Sequence, residues 1–385
     1  MMVLWMLSCA QPECARPQYQ RAECRVQAEN ELARLVTADG VDVRFQDANS
    51  EGAESWSSTG RLEQRRDGVI AARVATLGDF RLTFSTDVPV TVTVEVDNVH
   101  PLVEPLNGEQ SQAGLVRTVQ LDLGVGDTEL VGRLPEGTCD AGYRVAVGGD
   151  IQTNPLHFRR IVADLHEEAA VGQQDGVPLL GLIILGDVSD LTLEAELTTV
   201  LETLSASPVP AAIVPGNHDV YASRDALFNR IVGPGNYAFT LCGSRYVMLD
   251  TGNGHLADSI QGRLPELIGE GHERLFAAVH HPPHPGQTSA GWTDEAQAQQ
   301  FLAEMAARDA DLVLAGHVHQ RLQIEEAAVP EVIVGSLGAD QYVVDPDYGY
   351  LRLQVDDEVS TCFVSVPTPG SPGVERGPPE NCPAR

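Results

Sequence analysis

Five times in this chain a short apolar run stops on an aspartate, an asparagine or a histidine. RVAVGGD ends at Asp150, LLGLIILGD at Asp187, and PAAIVPGNHD carries Asn217, His218 and Asp219. RLFAAVHH reaches His280, and DADLVLAGHVH reaches His317 and His319. Short apolar runs bounded by turn signals read as buried strands. Amphipathic stretches at Leu156 to Ala170 and Leu191 to Ser205 read as helices between them. Strands alternating with helices predict an α/β layered domain. In open α/β sheets ligands gather outside the carboxyl ends of the strands, so the five polar clusters are expected at one rim.

The length of 385 residues favours about two folded units. Residues 1–30 read as a signal-like segment and a polar tether. From 31 to 140 the pattern is strand-like, as in Arg81 to Ser85, Val88 to Val96 and Leu115 to Leu123, which predicts a small β-sandwich. The α/β pattern fills 141–366, returning to strands from Val332 to Val366. A tail rich in proline and glycine occupies 367–385.

The formal charge is −30, from 55 acidic and 25 basic residues, and every one of the basic residues is arginine. The absence of lysine excludes a Walker-type phosphate loop, a kinase strand lysine and Schiff-base chemistry. Such negative charge repels polyanions, so no nucleic acid is expected as a partner. The N-terminal MMVLWMLSCA is too short to span a bilayer. It resembles the end of a lipoprotein signal with Cys9 as the lipidated residue, although the positive n-region is missing. Setting Cys9 aside leaves six cysteines, with no CxxC among them. They are expected as up to three disulfides, Cys14 with Cys24 first, in an exported protein of the cell envelope or beyond. Free buried thiols are the alternative.

The strand ends gather Asp150, Gln152, Asp187, Asn217, His280, His317 and His319. Carboxylate, carboxamide and imidazole suit divalent ions such as Mn²⁺, Fe²⁺ and Zn²⁺. Two such ions about 3.5–4 Å apart can clamp the attacking and leaving oxygens of a phosphoryl transfer. Singly, each motif has a structural reading: GNHD as a turn, GDVSD as a helix cap, GHVH as two half-buried histidines. Together and in order, GD, GDxxD, GNHD, HHPP and GHVH resemble the signature of calcineurin-like metallophosphoesterases.

That resemblance spans roughly residues 143 to 365 and implies a two-sheet sandwich flanked by helices, preceded here by the smaller β-rich domain. It implies a hydrolase of phosphate monoesters or diesters, with a metal-bridging hydroxide as nucleophile. Asp187 would bridge two divalent ions, Asp150, Gln152 and His319 would complete the first site, and Asn217, His280 and His317 the second. His218 would protonate the leaving oxygen, with Asp219 or Asp190 orienting it. The family's first motif is commonly Asp-x-His, and Gln152 departs from it toward a neutral, harder ligand. The β-first layout is similar to purple acid phosphatases, but GDVSDLT lacks their tyrosine ligand. A metal-binding envelope protein without turnover is the competing expectation. His255, His281 and His284 read as facing water, and neither the substrate nor the oligomeric state is legible.

Overall fold

Val145 and Val147 point one way from their strand and Ala146 the other, and all three are fully buried. A strand covered on both faces must lie between two layers, and the computed structural model shows which. It describes residues 18–46, 59–221, 226–286, 290–325, 327–340, 348–367 and 380–382.

The chain opens with helix α1 (Gln18–Leu32), then strands β1 (Arg34–Val36), β2 (Asp42–Gln46), β3 (Gly60–Arg66), β4 (Val69–Val74) and β5 (Phe80–Thr86). There follow β6 (Val90–Asp97), β7 (Glu109–Ala113), β8 (Val116–Leu123) and β9 (Gly126–Gly132). The α/β part begins with β10 (Tyr143–Gly148), α2 (Pro155–Asp175), β11 (Leu179–Ile184), α3 (Glu194–Leu204) and β12 (Ala211–Ile213). It continues through α4 (Leu227–Ile231), β13 (Tyr237–Leu241), β14 (Ser244–Met248), α5 (Asp258–Ile268) and β15 (Arg274–Ala278). It ends with α6 (Glu295–Ala307), β16 (Leu312–Ala315), β17 (Leu322–Ile324), β18 (Glu331–Ile333), β19 (Gly349–Val355) and β20 (Val359–Ser365).

The α/β part has four layers. One sheet has the order β12-β11-β10-β19-β20, the other β13-β14-β15-β16-β18-β17. Val145, Val147 and Ile183 meet Met248, Phe276 and Leu314 in the core between them. Helices α2 and α3 cover the outer face of the first sheet, where Phe158, Ile161 and Leu197 meet Ala146 and Leu182. Helices α5 and α6 cover the second through Ile260, Leu264 and Phe301. Helix α2 starts where the Asn154 side chain accepts the His157 N–H at 3.2 Å, with Pro155 following, and stops at Gly176 with φ 75°.

Strands β1-β2-β5-β9 and β3-β4-β6-β8-β7 form the two sheets of the β region, closed over a shared core of Val43, Phe84, Ile70, Val94 and Val119. Asn98 fastens this region to the α/β part. Its amide donates to Ala211 O at 2.9 Å and its oxygen accepts the Ala211 N–H at 2.9 Å. These bonds occupy the open side of edge strand β12, the part of a sheet most in need of cover.

The polar stretch read as a tether is helix α1 from Gln18 onward. Ala22 and Val26 join the core under α5 and α6, and Arg25 and Glu29 are buried. Arg25 grips Asp250 through both guanidinium arms, at 2.5 and 2.9 Å, and donates to Asn253 at 2.9 Å. Glu29 accepts from Asn229, Asn236 and the Gly235 N–H. Disulfides join Cys139 to Cys242 and Cys362 to Cys382. Cys24 is disulfide-bonded, while Cys9 and Cys14 lie outside the described residues.

Replacing Asp250 by Asn keeps the shape and strands the buried Arg25 charge, so Asp250→Asn is expected to cost about 3–5 kcal/mol. Glu63→Gln, at a pair with Arg61 whose carboxylate is 56% exposed, should cost under about 1 kcal/mol. Urea unfolding of both variants makes the comparison, and equal losses would refute it.

Neither carboxyl oxygen of buried Glu331 has a hydrogen-bond partner, and burial pushes this group from 4.5 up to about 8. A raised folded value means stability that is complete below pH 4.5 and lost as pH rises through about 8. Glu331→Gln should flatten that part of the stability profile. Glu29, raised to about 8 by burial and by Asp250, keeps a slope of the same sign in the variant. Unchanged slopes in thermal melts would show that Glu331 is ionised in the fold.

Candidate metal centre

Strands β10, β11 and β12 run parallel in one sheet, and β14, β15, β16 and β18 in the other. Their carboxyl ends meet at one rim of the sandwich, and the chain turns sharply there. Asp150, Gln152, Asp187, His317 and His319 all have positive φ, between 29° and 69°. Each such residue costs about 1–3 kcal/mol and persists only where the surroundings enforce it. Gly186 has no freedom to be anything else: a Cβ there would lie 2.5 Å from Gly216 N and 2.7 Å from His280 Nδ1.

Two groups of donors result. Asp150, Asp187 and His319 bring one ligand atom each within 4.8 Å of one another, and so do His280, His281 and His317. Asp187 lies between the groups, with its Oδ2 3.4 Å from His280 Nε2. Asn217 joins the second group, its Oδ1 3.0 Å from His280 Nε2, and His317 Nδ1 is 3.1 Å from the same nitrogen. Gln152 joins the first, its amide meeting Asp187 Oδ2 in a short contact. Rotating that carboxamide half a turn presents its oxygen instead. All seven ligand candidates from the sequence therefore converge.

The main chain aims the imidazoles. His280 Nδ1 donates to Leu185 O at 2.6 Å and His319 Nδ1 to Asp340 O at 2.7 Å, which turns both Nε2 atoms inward. The backbone N–H of His218 donates to Asp187 at 2.9 Å and that of His317 to Asp150 at 3.1 Å. Thr251 Oγ1 accepts the N–H groups of His280 and His281, both at 3.0 Å.

With Nδ1 committed to Leu185 O, His280 Nε2 faces a carboxylate, a carboxamide oxygen and another ring nitrogen. Such a convergence calls for a positive charge, a proton or a metal ion, so the donor set fits divalent metal. The electrostatics agree. Burial lowers the His280 pKa, but Asp187 outweighs it and holds the ring at about 9. Asp187 stays well below the usual carboxylate range despite burial, because His280 and His218 face it. His317 is pushed down to about 3 by burial and by His280. A metal ion takes the place of the proton that such a cluster holds.

His218 stands beside both groups and in neither. Its Nδ1 donates to the Asp190 carbonyl at 2.8 Å, with the Asp190 carboxylate at 3.5 Å, and its Nε2 is 3.2 Å from Tyr221 Oη. Asp219, a catalytic candidate in the sequence, does not reach that ring. Its fully buried carboxylate accepts from the N–H groups of Val188, Ser189 and Gly216 and from Ser189 Oγ, tying two motif loops together. Its pKa is raised to about 6 by burial and by Asp187. Asp190 is the residue that orients His218.

Three histidines read as facing water are not at the surface. His281 is buried, its ring 4.1 Å from that of His317 and its Nδ1 without a hydrogen-bond partner. His255 is buried as well, and half-buried His284 donates to Val329 O at 3.0 Å. The doublet in HHPP was the available signal for His281. Nothing in the sequence marked Tyr221.

Two facing sheets whose parallel strands end in buried carboxylate and imidazole define a metal-binding α/β sandwich. Residues 143–321 match the family model described as calcineurin-like phosphoesterase, a match that supports this family for the α/β part. That family's class of chemistry is metal-dependent phosphoester hydrolysis with divalent metal ions. A comparison with curated proteins gives no match. Among solved structures, the chain is similar to a dimetal phosphatase from Danio rerio at 14% identity, covering 58% of this chain and 96% of that one, with a TM-score of 0.45. It is similar to PhoD at 12% identity, covering 75% and 89%, with a TM-score of 0.46. GAP50, the anchor in the inner membrane complex of Plasmodium, aligns at 12% identity over 58% and 85%, with a TM-score of 0.43.

Because Asp187 lies between the groups, Asp187→Asn is expected to strip metal from both. Asp150→Asn should leave the imidazole group loaded. Elemental analysis of dialysed protein decides, and full metal content in Asp187→Asn would overturn the shared position.

Proposed function

We propose that this protein hydrolyses phosphate monoesters or diesters with two divalent ions, one held by Asp150, Gln152 and His319, the other by Asn217, His280 and His317, and both by Asp187. The observation that carries this reading is the position of the Asp187 carboxylate, 3.4 Å from His280 Nε2 and within one donor group with Asp150 and His319. When bound, the ions supply charge that acidifies water and neutralises phosphoryl oxygens. The neutral carboxamide of Gln152 favours Mn²⁺ or Fe²⁺ over Zn²⁺ at the first position.

The chain's own residues do the rest. His218 donates through Nε2 to the leaving oxygen, since its Nδ1–H is committed to the Asp190 carbonyl. Asp219 holds the loops of Asp187 and His218 in register. Disulfides at Cys139–Cys242 and Cys362–Cys382 support an oxidising compartment, either the cell envelope or outside it.

His218→Ala should keep its metal content and lose ~10²–10⁴ in rate, the usual contribution of a positioned general acid. With added Mn²⁺, the loss should be small for p-nitrophenyl phosphate, whose leaving group needs little protonation, and large for alkyl phosphates. Equal losses on both, or loss of metal, would remove His218 from the acid role. A wild-type protein that binds metal and turns over no ester would leave a metal-binding protein without hydrolysis.

A further inference from the structure

Single exposed apolar side chains are ordinary on any protein surface. Their placement here is not. Among the described residues the exposed large apolar side chains include Leu156, Leu191 and Tyr221, and each lies just downstream of a motif at the rim. Leu156 follows the loop of Asp150 and Gln152, Leu191 follows Asp190 directly, and Tyr221 follows His218 and Asp219.

Tyr221 is stitched to the proton-donating histidine through Thr192, the residue that follows Leu191. The Tyr221 N–H donates to Thr192 Oγ1 at 2.9 Å, and Thr192 Oγ1 donates to the His218 carbonyl at 2.8 Å. Tyr221 Oη stands 3.2 Å from His218 Nε2, and the two rings are 4.7 Å apart. The oxygen that receives a proton from Nε2 carries the alcohol half of the ester with it. That half leaves beside the Tyr221 ring, 39% exposed, and Leu191, 56% exposed, stands one residue from the Thr192 that bonds both His218 and Tyr221.

The surrounding charge narrows the choice. The Glu196 carboxylate accepts the Leu191 N–H at 3.0 Å, and the Asp190 carboxylate sits on the far side of the His218 ring. On a chain of net charge −30, these groups repel an alcohol that is itself anionic, such as a nucleoside phosphate or a sugar phosphate.

Resting on the proposed hydrolase reading, we infer that Leu191 and Tyr221 form an apolar leaving-group subsite, so that the favoured substrates are phosphate esters of uncharged hydrophobic alcohols. The step balances without a further reactant: the oxygen of water bonds to phosphorus and gives up one proton, the ester P–O bond breaks, the alkoxide oxygen takes the proton from His218 Nε2, and the proton released by water restores the one His218 gave. Tyr221 keeps its own proton and bonds the imidazole that has lost one.

The test is the series from ethyl to hexyl phosphate, in which the leaving oxygen is chemically constant and only apolar length changes. In the Mn²⁺-loaded full chain kcat/KM is expected to rise roughly two- to fourfold per methylene that reaches the subsite. Leu191→Ser with Tyr221→Ser should flatten the series, and Leu102→Ser, an exposed site on the β region, should leave it intact. A flat series in the wild type, or glycerol phosphate and nucleoside monophosphates hydrolysed as well as hexyl phosphate, would overturn the subsite. Calorimetry with ethyl- to hexylphosphonate, which cannot be hydrolysed, separates this from the hydrolase reading. Affinity rising with length and lost in the double variant supports the subsite even without turnover, and affinity independent of length refutes it whatever the turnover.

Discussion

The structure depends on one electrostatic problem: carboxylates, a carboxamide and imidazoles face one another from buried positions, and their charge must be compensated there. Asp150 and Asp187 are almost without solvent contact, and a carboxylate in such a place costs several kcal/mol unless it is paired. Five left-handed residues add about 1–3 kcal/mol each, a total comparable with the whole net stability of a domain. Such an arrangement persists only if the scaffold is over-determined and a cation or proton fills the gap. The four-layer core supplies the first condition. Sheets buried on both faces, as at Val145 and Ala146, cannot shift register to relax the rim.

Helix α1 extends that scaffold from the far N-terminal end of the described chain. Arg25 fixes Asp250, and the next residue, Thr251, holds the backbone of His280 and His281. Asn236 ties the same strand end by accepting the Asp250 N–H at 3.0 Å, and Glu29 in turn accepts from Asn236. A buried ion pair is weak evidence of stability, since desolvation offsets much of the attraction. What it gives is a defined register, because this placement of α1 supplies partners to both Arg25 and Glu29.

The class of chemistry was legible in the sequence because metal ligation demands particular residue types, and strand ends are visible as apolar runs that stop. Strand-rich segments at Arg81 to Ser85 and Val88 to Val96 fall on β5 and β6 for a similar reason: alternation survives in composition. Helix α1 was not legible. Its buried face carries Arg25 and Glu29 beside Ala22 and Val26, so by residue type it reads as solvated. Partners more than two hundred residues away made those charges internal. The same blindness placed His255 and His281 in water, for an imidazole says nothing by itself about what covers it. The pair Cys139 and Cys242, separated by 103 residues, lay equally beyond reach, since spacing cannot choose among six thiols.

Asp219 and Asp190 show how far residue type underdetermines role. Both are aspartates near His218 in sequence or space, and either was a candidate to orient it. Asp219 is consumed by four backbone and hydroxyl donors, which leaves its carboxylate no spare direction toward the ring. Asp190 is partly exposed and presents both a carbonyl and a carboxylate to Nδ1. The first fixes the tautomer, which leaves Nε2 facing the site. The negative field of the chain then orders events at the rim. A net charge of −30 draws divalent cations and repels phosphate, so under the proposed function metal bound at Asp150 and Asp187 would be needed before an anionic ester is attracted.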